Sequence, residues 1–77
     1  MRESSTINVG DTVVYDADAL NIVFDNDAER VVKFMKTKGI GLIIVCRADY
    51  DNRRGFNILW QGGSINYEIE NHLIKIE

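Results

Sequence analysis

The chain has no proline, one cysteine, one histidine and one tryptophan among its 77 residues. A single cysteine, Cys46, rules out an intramolecular disulfide and fits a reducing compartment. No run approaches the roughly 18 apolar residues of a membrane-spanning helix. The opening Met1-Arg2-Glu3-Ser4-Ser5-Thr6 lacks the apolar core of a signal peptide. The expected setting is therefore cytoplasmic and soluble, with no membrane partner. Basic excess is missing as well: the net charge of −3 argues against a general binder of phosphate backbones. No glycine-rich loop leads into a helix, because Gly39-Ile40-Gly41 follows the helical segment instead of preceding it.

Chemistry-bearing clusters are equally sparse. Cys46 stands at the end of an apolar stretch, where it reads as a small buried hydrophobe and not as a nucleophile. His72 reads as a surface or turn residue, without a partner that would make it a general base. Asp16-x-Asp18 and Asp25-x-Asp27 have oxygen ligands but lack the rest of a calcium loop, so they read as turn and cap residues. The expectation is a protein that is not an enzyme, with no cofactor, no metal and no small-molecule substrate.

What is present is ordinary for one small globular domain spanning residues 1–77: 45% hydrophobic and 27% charged residues. A domain of this size buries about 60% of its unfolded surface and is marginally stable alone, so association would help it. The strongest local signal runs from Gly55 to Ile69. Gly62-Gly63 suits a two-residue turn, since both central positions of a type I′ turn need positive φ. That turn sets Trp60 opposite Ile65, Ile58 opposite Tyr67 and Phe56 opposite Ile69, one wholly apolar face.

Elsewhere, residues 7–15 read as a first strand with a Gly10-Asp11 turn, and Leu20 to Phe24 as a short strand or packed loop. Ala28, Val31, Val32 and Met35 fall at i, i+3, i+4 and i+7, predicting a helix near residues 26–38 capped by Asn26 and stopped by Gly39. Residues 40–46 form a continuous apolar run, the pattern of a strand covered on both faces. A polar loop over 47–54 follows, then the hairpin, a single helical turn over 70–73, and a closing strand over 74–76.

This order of strand, long excursion, strand, polar loop, strand, tight turn, strand, helical turn and strand resembles the SH3-like barrel. Val9-Gly10-Asp11-Thr12-Val13-Val14-Tyr15 looks like its G-D-x-V first strand. In detail the chain is similar to small SH3-like proteins of tailed bacteriophages, marine ones among them. The resemblance implies a mainly β barrel of about five strands with one helix inserted between the first and second long strands. It also implies a host cytoplasm or virion as the setting. A peptide-binding SH3 domain carries a groove proline with tyrosine and a tryptophan opening its third strand; this chain has neither, so a proline-rich ligand is not expected.

Two functional expectations follow. The first is a protein-interaction or assembly module, a homo-oligomer or one that docks on a protein partner, using Val14, Phe34, Ile43, Val45 and Leu59, the apolar residues expected outside the core. The second is nucleic-acid binding through Arg47, Tyr50, Arg53 and Arg54, by charge plus stacking. Asp49 and Asp51 nearly cancel that charge.

Overall fold

Asp16 and Asp27 each begin a helix. In the computed structural model, which describes residues 7–48 and 54–76, the Asp16 carboxylate accepts the Asp18 N–H at 2.9 Å and the Asp27 carboxylate accepts the Arg30 N–H at 3.2 Å. These are N-cap bonds that satisfy otherwise orphaned donors. Helix α1 is Ala17–Val23 and helix α2 is Ala28–Lys38. The segment expected as a strand or loop at Leu20 to Phe24 is thus mostly helical. Its cap and its Ala-Asp-Ala-Leu start outweigh the β-branched Ile22 and Val23, which end the helix exposed. Asn26 does not cap α2. It and Asp25 take left-handed backbone conformations, φ 63° and 58°, which their short polar side chains tolerate, and the cap passes to Asp27.

The strands β1 (Thr12–Tyr15), β2 (Gly41–Ala48), β3 (Arg54–Trp60), β4 (Ile65–Ile69) and β5 (Leu73–Lys75) form one antiparallel sheet in the order β4-β3-β2-β1-β5. A 3₁₀ turn, Glu70–His72, separates the last two. The protein is mainly β, with two helices, rather than the one expected, in the excursion between β1 and β2. The sheet is curved but not closed.

The hairpin corrects the expected register by one residue. Gly63 has φ of 103°, whereas Gly62 is not in the positive region. The Gly63 N–H donates to the Trp60 carbonyl and the Trp60 N–H to the Ser64 carbonyl, both at 2.8 Å, so the loop has three residues. The tip docks on the end of α2: the Gly62 N–H donates to the Lys38 carbonyl at 3.2 Å and the Gln61 N–H to the Ile40 carbonyl at 2.8 Å. Phe56 now pairs with Glu68, Ile58 with Asn66 and Leu59 with Ile65. A one-residue slip turns a whole strand over. Phe56, Ile58 and Trp60 stay on the core face as expected, at most 1% exposed, but Ile65 and Tyr67 face outward.

The polar residues thereby turned inward find partners. Lys38 reaches Ser64 at 3.0 Å and also bonds Asn66. Glu68 takes the Tyr15 hydroxyl at 2.9 Å and lies 2.8 Å from His72 Nδ1. Such bonding removes the main cost of burying them.

The core lies between the concave face of the sheet and the helices. It contains Val13, Tyr15, Leu20, Val31, Ile43, Phe56, Ile58, Trp60 and Leu73, with Ile7, and Phe24, Phe34 and Met35 pack on it. Trp60 stacks on Tyr15 with ring centroids 4.6 Å apart. Gly41 lets this happen: a Cβ there would lie 2.4 Å from Ile58 Cγ2 and 2.8 Å from the Trp60 ring. Those side chains are locked in the core, so Gly41→Ala is expected to cost about 1–3 kcal/mol by overpacking. Chemical denaturation checks this, and an unchanged midpoint would contradict the packing described.

Candidate functional site

The convex face of the sheet is where the apolar residues left out of the core collect. Leu59 pairs with Ile65, Leu42 with Leu59 and Thr12 with Leu42. The Ile76 N–H donates to the Thr12 carbonyl at 2.9 Å. Ile65, Leu59, Leu42 and Thr12 therefore form one row across β4, β3, β2 and β1, continued by Ile76 just past the end of β5. Around it lie Ile44, Val45, Tyr67 and Ile74. Every apolar member of this set is between 37% and 58% exposed.

The structure divides the expected interface residues. Leu59 and Val45 are exposed on the convex face, 41% and 43%, and Val14 is half-buried on the same face of β1 as Thr12, opposite Ile74. Ile43 is not an interface residue. It pairs with Ile58 inside the core and is 1% exposed. Strict alternation would put Ile43 and Val45 on one face, but a bulge at Ile44 shifts the register between them. Phe34 lies on the opposite side of the molecule, half-buried against Tyr15 (4.9 Å) and Phe24 (5.4 Å). The residues missed were Ile65 and Tyr67, hidden by the expected two-residue turn, Leu42 and Ile44, whose exposure follows from the uncovered second face of β2, and Ile74 and Ile76 at the chain's last strand.

Neither of the described arginines of the 47–54 segment, Arg47 and Arg54, is free. Tyr50 and Arg53 fall outside the described residues. Arg54 is tied down: Nη1 is 3.3 Å from Glu70 Oε2, Nη2 donates to the Ile7 carbonyl at 2.7 Å, and the guanidinium lies 5.2 Å from the Phe56 ring centre. Arg47 donates to Asn57 Oδ1 at 3.4 Å at the far end of the convex face. Cys46, expected buried, is exposed, with Arg54 Nη2 3.4 Å from its sulfur, because β2 runs past the edge of the core.

The titratable centre is Tyr15, Glu68 and His72, which joins β1, β4 and the 3₁₀ turn. Burial, reinforced by the Glu68 carboxylate, holds the Tyr15 phenol well above its ordinary value of 10. A raised folded-state pKa favours the protonated phenol, so its contribution is complete below the unfolded value near 10 and is lost as pH rises beyond it. Wild type is thus expected to lose thermal stability from about pH 10 upward, and Tyr15→Phe to lose less over the same range while starting lower at neutral pH. Parallel pH profiles for the two proteins would contradict this role. At the other end of the sheet, Asp11 lies below its usual range, chiefly through the Asn8 N–H it accepts, aided by Lys75 at 3.4 Å.

Among the described residues no group of three His, Cys, Asp or Glu side chains is placed to hold a metal ion, and no helix is long and apolar enough to cross a membrane. No family model, curated protein or solved structure matches the chain.

Proposed function

We propose that the protein is a non-enzymatic assembly module whose convex sheet face packs against the same face of a second copy. The observation that carries this reading is the row from Ile65 to Ile76, which crosses four strands and ends just past β5 without a charged side chain. At roughly 150–200 Å² for a full side chain, the exposed fractions of the eight large apolar residues amount to about 600 Å² per protomer. Two such faces together would bury about 1,200 Å², the lower edge of the range for stable interfaces. A row with no charge of either sign, the one cation of the face among the described residues being Arg47 at its far end, fits its own copy without like-charge repulsion at its centre, as an isologous two-fold interface requires. Face-to-face packing of two sheets is a standard way to cover such a surface.

The reading includes an SH3-like architecture of phage type. It is supported by the strand order β4-β3-β2-β1-β5, the long β1–β2 excursion, and the 3₁₀ turn before β5. The Tyr15–Glu68 hydrogen bond, which curls β4 toward β1, supports it further. The test is the solution mass by light scattering at two protein and two salt concentrations. A dimer that salt leaves unchanged is expected, because apolar contacts are not screened. A monomer at every concentration would overturn the proposal.

A further inference from the structure

The opposite side of the molecule has the contrary character. A hollow of about 420 Å³ is lined by Phe24 from the end of α1 and by Arg30, Lys33, Phe34, Thr37 and Lys38 of α2. Three cations face it and no carboxylate does, in a chain whose net charge is −3. Among the described residues none of the three has an ion-pair partner. Lys38 bonds only the neutral oxygens of Ser64 and Asn66, which uses two of its three donors.

The phenyl rings do more than line the hollow. The Arg30 guanidinium lies 5.0 Å from the Phe24 ring centre and the Lys38 ammonium 5.6 Å from that of Phe34. Cation–π contacts of this kind fix where the charges sit. The two rings meet edge to face at 5.4 Å, forming an apolar wall beside the charges. Arg30 keeps its planar fork of donors for an oxyanion, the geometry that suits phosphate.

We infer that this hollow binds a phosphate-bearing aromatic anion of nucleotide size, its phosphate held by Arg30, Lys33 and Lys38 and its flat ring against Phe24 and Phe34. The site stands apart from the convex face, so self-association leaves it open, and its failure would leave the assembly reading intact.

The test is a titration of the full chain with AMP, adenosine and inorganic phosphate, followed by amide chemical shifts and calorimetry. AMP is expected to shift residues 24 and 30–38, to bind at least about tenfold more tightly than either fragment, and to weaken with salt. Replacing Arg30 and Lys33 together by Ala touches only exposed side chains and is expected to lower AMP affinity by about tenfold or more with the amide spectrum otherwise preserved. The inference is overturned by an absence of shifts at roughly millimolar AMP, by shifts elsewhere, by equal binding of inorganic phosphate, or by a double variant that binds like wild type.

Discussion

Trp60→Ala is expected to unfold the protein at room temperature. Trp60 is 1% exposed, stacks on Tyr15 and fills the space that Gly41 leaves open. Truncating a buried tryptophan costs about 3–5 kcal/mol, because the lost transfer energy is joined by the cost of the cavity. One core of this size supplies about 3–5 kcal/mol in all, so little or no stability remains. Trp60→Phe is expected to be milder. It keeps an aromatic ring against Tyr15 and removes an indole N–H that has no hydrogen-bond partner among the described residues. Circular dichroism and amide spectra check the order wild type, Trp60→Phe, Trp60→Ala. An Ala variant that melts within a degree or two of wild type would contradict the core described here.

The second large effect concerns association and not folding. Leu59→Lys places a charge at the middle of the row, between Leu42 and Ile65. In the isolated protomer Leu59 is 41% exposed, so the lysine ammonium can reach water and the fold is expected to persist. At a two-fold interface the charge would be desolvated without a partner. A penalty of several kcal/mol follows, and self-affinity should fall by at least about a hundredfold. Ile22→Lys, at an 81% exposed position on α1, is the matched control and should change neither mass nor fold. Equal masses for Leu59→Lys and wild type would place the association elsewhere.

The fold was legible where short-range chemistry decides it. The stripe through Val31 and Met35 gave α2, and the alternation of Phe56, Ile58 and Trp60 gave the core face of β3. Errors arose where a distant element made the choice. Gly62-Gly63 is compatible with two turn lengths, and the docking of Gln61 and Gly62 on Lys38 and Ile40 selects the longer one. Nothing local to the hairpin encodes that, yet it decides which face carries Ile65 and Tyr67. The bulge at Ile44 is similar: it sends Val45 outward and Ile43 inward, although simple alternation pairs them.

The candidate site inherits these errors. The 40–46 run reads as a strand covered on both faces, whereas the second face of β2 is open; of the residues expected outside the core, Leu59 and Val45 lie on it and Ile43 does not. Its extent over β4 depended on the slipped register. The cationic hollow was invisible because Phe24 belongs to a segment read as strand or loop; only the turn through Asp25 and Asn26, with left-handed backbone at both, folds α1 back so that Phe24 meets Phe34. Charge along α2 had a sufficient local explanation in the helix dipole, which concealed its second property.

The central claim is that the convex face meets its own copy, and an isotope-filtered NMR experiment on a mixture of labelled and unlabelled protein tests it most directly. Intermolecular contacts among the side chains of Leu42, Leu59, Ile65, Tyr67 and Ile74 are the predicted result. Intermolecular contacts confined to the helices, or none at all in a sample at roughly millimolar concentration, would contradict it.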